Sequence, residues 1–187
     1  MPQDDLRRLT ELLAERSAKR GRFTLASGRE SEFYVDARLT TMSPEGLALI
    51  GPLGLAAIAS HHWAPDSVGG LTLGADPISY AMSYASASTP RPIRAFTVRK
   101  EPKRHGTGKL VEGPFRSGDR VVIVEDVITT GGSALKAAAA LSAAGGHILG
   151  VIALVDREEG GREAIETAGY RVISLVRASD VLPLVRT

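Results

Sequence analysis

Leu6, Leu9, Leu12 and Leu13 fall on one side of a 3.6-residue repeat behind Asp4 and Asp5. That spacing predicts an amphipathic first helix, with the two acids favourable at its N-terminus and Gly21 as its stop. Residues 23–36 change to β-forming side chains on either side of Ser27 and Gly28, the pattern of a hairpin. Ser43 followed by Pro44 is an N-cap and a first-turn proline, opening a helix to about Ser60. Short apolar runs then recur at 67–73, 93–98, 120–124, 147–155 and 170–176, each reading as a strand, and the β-branched run 120–124 as one buried on both faces. Helical stretches separate several of them: one opened by Asp76 as N-cap and Pro77, an alanine-rich one from Ala134, and a short one over 160–168. Strands alternating with helices predict an α/β fold with a mainly parallel central sheet flanked by helices.

A length of 187 residues suits a single domain, with about 1–40 forming an N-terminal helix and hairpin and about 41–177 the α/β core. Hydrophobic residues make up 43%, enough for a real core. The 23 basic residues against 21 acidic ones leave a net charge of +2, too even for a dedicated nucleic-acid binder, so any basic patch is local. With no cysteine, disulfides, thiolate metal sites and a cysteine nucleophile are excluded, which fits a reducing compartment. The longest apolar stretch, 47–59, is interrupted by glycine and proline and is shorter than the ~20 residues a bilayer span needs. The first residues are acidic where a signal peptide is basic. A soluble cytoplasmic protein without membrane association is expected.

The chemistry concentrates in 120–141. There a β-branched run ends in Glu125 and Asp126, the turn Thr129-Thr130-Gly131-Gly132-Ser133 follows, and a helix begins. Free N–H groups at a helix N-terminus, exposed by glycines, form a cup for a phosphate. The acids suit hydroxyls at the other end of the same ligand, and a ribose 5-phosphate has both ends. An ordinary strand-turn-helix with a solvated acidic pair fits the same residues. No lysine follows the glycines as a Walker loop requires, and the Gly-x-Gly-x-x-Gly spacing is absent.

A second strand-to-helix turn, Gly74-Ala75-Asp76-Pro77, offers amides for a diphosphate or is a simple connection. Residues 99–109 carry Arg99, Lys100, Lys103, Arg104, Lys109 and His105 against Glu101, broken by Pro102, Gly106 and Gly108. Like charge gathered on an irregular loop is how a mobile lid over a polyphosphate would be built. Arg157 at a strand's end can hold a planar carboxylate bidentately, or pair with Glu158 or Glu159. The adjacent His61 and His62 read as polar helix-end residues rather than metal ligands.

These segments carry a family resemblance. The hydrophobic run, two acids and Thr-x-Gly-x-Ser of 122–133 resemble the phosphoribosyl-diphosphate signature of the type I phosphoribosyltransferases. Phe23-Thr24-Leu25-Ala26-Ser27-Gly28-Arg29 resembles the hood of the orotate phosphoribosyltransferases, and Arg99-Lys100-x-x-Lys103-x-His105-Gly106 resembles their catalytic loop. The resemblance implies the type I fold with a small N-terminal hood, and transfer of phosphoribosyl from phosphoribosyl diphosphate (PRPP) to orotate in pyrimidine synthesis. It implies Lys103 and His105 as catalytic residues. PRPP contacts would come from Arg99, Lys100, Lys103, His105, Glu125, Asp126, Val127, Ile128, Thr129, Thr130, Gly131, Gly132 and Ser133. Thr129 and Arg157 would meet orotate, and Gly74, Ala75 and Asp76 would form a diphosphate loop. It also implies Mg2+ held mainly through the substrate diphosphate, and a homodimer in which the loop reaches the neighbouring site. Two lysines of other members are missing: Ala26 stands in place of one, and the 74–77 loop lacks the other. A purine-base enzyme and a non-catalytic nucleic-acid-binding regulator are the alternatives on the same fold.

Overall fold

The structure, a computed structural model, describes residues 3–24, 30–102 and 109–185. The hairpin tip with Ala26, Ser27 and Gly28, and loop residues Lys103, Arg104 and His105, lie outside the described residues. The first helix α1 (Gln3–Leu12) buries Leu9 and Leu12 as the leucine spacing requires. It ends well before Gly21, because Leu13–Ser17 widens into a π-turn and the chain then becomes strand. β1 (Ala18–Thr24) pairs antiparallel with β2 (Glu30–Val35) from Ala18 opposite Val35 onward, and Asp36 N–H donates to the Ser17 carbonyl at the base. Gly21 therefore sits in an irregularity of β1 between Arg20 and Phe23, not at a helix end. The hairpin ladder outcompetes continuation of the helix.

Past the four-residue α2 (Arg38–Thr41), α3 (Pro44–Ser60) has the expected limits: the Ser43 hydroxyl accepts from Gly46 N–H at 3.1 Å, with proline in the first turn. The core is a six-stranded sheet made of β3 (Ser67–Leu71), β4 (Arg94–Val98), β5 (Val111–Glu112), β6 (Arg120–Ile128), β7 (His147–Asp156) and β8 (Val172–Arg177), in the order β5-β4-β3-β6-β7-β8. All neighbours run parallel except the short edge strand β5. Between the strands lie α4 (Ala75–Ser86), α5 (Gly132–Ala143) and α6 (Gly161–Thr167), with α7 (Ala178–Val181) after the last.

Alternation along β6 shows why its run is apolar throughout. Val122 and Val124 enter one core with Leu9, Leu13, Ile50, Leu53 and Met82, while Val121 and Ile123 enter another with Ala137, Ala138, Leu141 and Ile165. Helices α1, α3 and α4 thus cover one face, and α5 and α6 the other. The N-terminal edge of the sheet is tied by ion pairs, Asp66 with Arg120 at 2.9 Å and Asp119 with Arg94 at 2.7 Å. At the opposite edge, β3 and β6 lie side by side where the strand order reverses, leaving the crevice in which parallel sheets bind ligands. No helix among the described residues is long and apolar enough to cross a membrane.

Candidate active site

The crevice beyond β3 and β6 is a cleft of about 630 Å³, lined by Tyr34 to Arg38 on the hood side, the 71–74 turn, Lys100, Glu125 to Val127, Thr129, Thr130, Ser133, Arg157 and Glu159. β6 continues past the acidic pair to Ile128, four residues beyond the strand its β-branched run predicts. The cause is β7 alongside, which supplies ladder partners out to Asp156 opposite Ile128. The acids therefore sit on a strand that β7 holds along one side, beyond the end of its pairing with β3 at Ile123, instead of on a loose turn.

Glu125 is buried, and its Oε2 has no hydrogen-bond partner. Burial, with Asp126 beside it, raises its pKa well above the usual carboxylate range. Asp126 is also raised by burial, opposed by the Val127 N–H at 2.9 Å and by the charge of Arg38. Two adjacent buried carboxyls of raised pKa lining a pocket are a marker of function. On the other wall Gly74 makes room for them: a Cβ there would lie 2.4 Å from the Asp126 carboxyl carbon.

The turn after β6 is tight. Gly131 is left-handed at φ +79° and caps α5, and a Cβ on it would strike the Gly161 carbonyl at 2.7 Å, so only glycine lets α6 pack behind the turn. Helix α5 begins at Gly132, two residues before the alanine run predicts, and presents its N-terminal amides over Thr129 to Ser133. The second turn differs from expectation. Gly74 is the N-cap of α4, not Asp76, which is the second residue of the helix. Asp76 is buried and accepts from the Thr72 hydroxyl at 2.7 Å and the Thr97 hydroxyl at 2.8 Å. Gly74 lines the cleft, whereas Ala75 and Asp76 are buried behind it, so Asp76 braces the turn from within.

A domain model for the phosphoribosyl transferase domain matches residues 73–181, the segment that supplies both turns and the acidic pair. An orotate phosphoribosyltransferase of Aquifex aeolicus is 47% identical over 178 residues, covering 94% of this chain and 96% of that protein. The chain belongs to the orotate phosphoribosyltransferase family. Two crystal structures of the orotate phosphoribosyltransferase of Mycobacterium tuberculosis H37Rv match its backbone. One, in complex with Fe(III) dicitrate, has a TM-score of 0.82 at 45% identity and covers 95% of this chain and 98% of that one. The other, in complex with 5-phospho-α-D-ribosyl 1-diphosphate, has a TM-score of 0.78 at 39% identity and covers 97% and 93%.

Within this orotate phosphoribosyltransferase fold, Glu125, Asp126, Val127, Thr129, Thr130, Ser133, Lys100 and Arg157 line one cleft. The Ile128 side chain turns into the core and its carbonyl accepts from Arg157 N–H at 2.9 Å, while Gly131 is buried and its carbonyl accepts from Leu135 N–H at 3.0 Å. Arg99 stands off the cleft, its guanidinium 3.7 Å from Glu112 and its N–H on the Leu110 carbonyl. Lys103 and His105 lie outside the described residues. Arg157 is buried: it donates to the Phe33 carbonyl at 2.8 Å, pairs with Glu159 and stacks over the Phe33 ring. His61 closes α3, its Nδ1 2.9 Å from the Ala57 carbonyl, and no metal-binding cluster of three or more acids, histidines or cysteines occurs among the described residues.

Sequence reasoning missed Tyr34, Asp36 and Arg38, all on the cleft, while Glu159, named as a partner of Arg157, pairs with it there. The only prior signal was position: Asp36 and Arg38 follow directly on the hairpin.

Proposed function

We propose that this chain is an orotate phosphoribosyltransferase that moves the 5-phosphoribosyl group from PRPP to orotate, giving orotidine 5′-monophosphate and diphosphate. The observation that carries the reading is one cleft lined at once by the buried acids Glu125 and Asp126, the hydroxyl-rich turn of 129–133 and the guanidinium of Arg157. The donor's 5-phosphate suits the amides of Thr129 to Ser133 at the positive end of α5. Its ribose hydroxyls suit Glu125 and Asp126. Arg157 with Thr129 suits the carboxylate of orotate, a group that adenine, hypoxanthine and uracil lack. A purine base carries no carboxylate to offer this guanidinium.

As the C1–O bond to diphosphate breaks and orotate N1 bonds to C1, positive charge develops at the sugar and negative charge on the leaving group. Preorganised opposite charges at those two ends are the main lever on such a reaction. Glu125 and Asp126 stand at the sugar end. Arg99, Lys100, Lys103 and His105 are assigned to the diphosphate end, with Lys103 and His105 making the contacts that strengthen in the transition state. Lys100 is steadied there by Lys136, whose Nζ donates to the Lys100 carbonyl at 2.7 Å. The amide of Gly74 belongs to the same end.

Mg2+ belongs to this reading, and the donor set fits it. The unpartnered Oε2 of Glu125 and the adjacent Asp126 are hard oxygen donors at the cleft. With only these two acids paired there, most of the ion's ligands would come from the substrate diphosphate and water. When bound, the ion would neutralise charge on the leaving group.

A homodimer with shared sites is part of the same proposal. Its support is an apolar groove between α3 and α4 lined by Pro44, Leu47, Pro52, Tyr80, Ala81 and Tyr84, with Leu39 and Met42 exposed nearby. A cytoplasmic setting accords with a chain that has no cysteine.

The test is orotate consumption, followed by its ultraviolet absorbance, with PRPP present and with and without Mg2+. The proposal expects loss of orotate and release of diphosphate, and no release with hypoxanthine, adenine or uracil. Release with a purine in place of orotate would overturn it.

A further inference from the structure

The 71–74 turn offers backbone to the diphosphate but no cationic side chain: its residues are Leu71, Thr72, Leu73 and Gly74, and the Thr72 hydroxyl is given to Asp76. A diphosphate needs a cation at that wall. Among the described residues lining the cleft, the cations are Arg38, Lys100 and Arg157. Arg157 is assigned to the orotate carboxylate and is braced by the hood carbonyl of Phe33 and by Glu159. Lys100 stands where the charged loop begins.

Arg38 is mounted differently. It follows β2 and opens α2, and Asp36 two residues earlier grips it as a fork: Nε donates to Oδ1 at 2.8 Å and Nη2 to Oδ2 at 3.0 Å. The Arg38 backbone N–H closes on Oδ1 at 3.2 Å. The fork spends one edge of the guanidinium and fixes its plane, leaving Nη1 for a ligand, and Arg38 and Asp36 both line the cleft. A fixed planar donor loses little freedom on meeting an oxyanion, which is what preorganisation requires.

The charge of Arg38 acts on Asp126 and on Tyr34. Asp126 lies against Gly74, whose Cβ would collide with its carboxylate. Arg38 shares the cleft with the 71–74 turn, the wall whose own residues carry no cation, whereas the 5-phosphate has the amides of the 129–133 cup. We propose that Arg38, held out by Asp36, is a substrate-binding residue that contacts the diphosphate of the donor from the hood side. The proposal rests on the phosphoribosyltransferase reading above and names a role for a residue outside its motifs.

The test compares wild type, Arg38→Met and Arg38→Lys by calorimetric titration with inorganic diphosphate, ribose 5-phosphate and orotate in Mg2+, with KM for PRPP and for orotate alongside. Losing a hydrogen bond to a charged group predicts ~10-fold or more weaker diphosphate binding in Arg38→Met, and a matching rise in KM for PRPP. Ribose 5-phosphate and orotate should stay within about twofold, and Arg38→Lys should recover part of the loss because it keeps the charge without the fork. Unchanged diphosphate binding in Arg38→Met would overturn the proposal. So would weakening of all three ligands together with a lower Tm, the mark of a merely structural pin, or weakening of orotate alone. Should Arg38→Met fail to fold, Arg38→Lys decides, since a diphosphate affinity equal to wild type contradicts a forked contact. A wild type that binds no diphosphate would overturn both this proposal and the reading beneath it, whereas a wild type that binds all three ligands confines any failure to Arg38.

Discussion

Replacing Gly74 by alanine isolates the geometry on which the cleft depends. The new Cβ would lie 2.4 Å from both Cγ and Oδ2 of Asp126 and 2.5 Å from Oδ1. Carbon atoms in contact sit ~3.5 Å apart or more, so one wall must retreat by about 1 Å. Asp126 is short and is tied to the Val127 N–H at 2.9 Å, while the 71–74 turn is braced by Thr72 on Asp76. Either retreat moves a group that meets the donor. Misplacement of that size costs roughly 10²-fold in rate, or ~2.7 kcal/mol of barrier. Folding should barely notice. Gly74 has φ −62° and ψ −43°, which alanine adopts freely, and restricting the unfolded chain returns ~0.4–1 kcal/mol to offset the crowding. The assay is the initial rate of orotate loss across a PRPP series, with thermal melting on the same protein. A Gly74→Ala enzyme with kcat/KM within about threefold of wild type and an intact fold would refute the reasoning, because a 1 Å shift at the reacting end should cost far more.

Glu125→Gln tests the buried acid through pH. The raised pKa of Glu125 means that the folded chain binds the proton more tightly than the unfolded one, whose value is near 4.5. Its contribution is therefore full below that value and is lost as pH rises through the folded pKa. The Gln variant should melt higher than wild type at pH 8, with the gap closing toward pH 4.5, and should lose turnover; a gap that does not change with pH counts against this. Asp66→Asn tests the opposite sign. The Arg120 fork and its backbone N–H hold Asp66 at about 2, so its stabilisation is present above the unfolded value of 3.8 and disappears as pH falls through about 2. With over a third of both side chains exposed, screening limits the cost at pH 7 to ~1 kcal/mol, read by urea titration; a loss several times larger would show that the pair does more than tie β3 to β6. Lys103→Ala should lower turnover by ~10²-fold, and mixing it with Asp126→Asn subunits should restore part of the activity. No recovery in the hybrid would argue that each subunit works alone.

Much of the fold was legible because the apolar run of β6 matches its burial on two faces and the turns carry their own chemistry. Ser43 and Pro44 mark the start of α3 without ambiguity. The failures share one cause: partners distant in sequence extend or shorten an element beyond its local preference. β7 carries β6 past two acids that locally read as a strand end, and the hairpin claims 18–24 from the first helix. Asp76 looked like a cap because it precedes proline, but hydroxyls of Thr72 and Thr97 draw it inward and leave the cap to Gly74. For the site, the signature turn and Arg157 were visible as motifs. Asp36 and Arg38 were not, since only folding brings the base of the hood over the sheet edge.

The central claim is that one cleft grips a phosphorylated ribose from both ends, and a crystal structure with PRPP and Mg2+ bound tests it most directly. The account predicts the 5-phosphate within ~2.7–3.2 Å of backbone N–H groups of residues 129–133 and the ribose hydroxyls on Glu125 and Asp126. A 5-phosphate seated instead at the 71–74 turn, or a ribose turned away from the acidic pair, would contradict it.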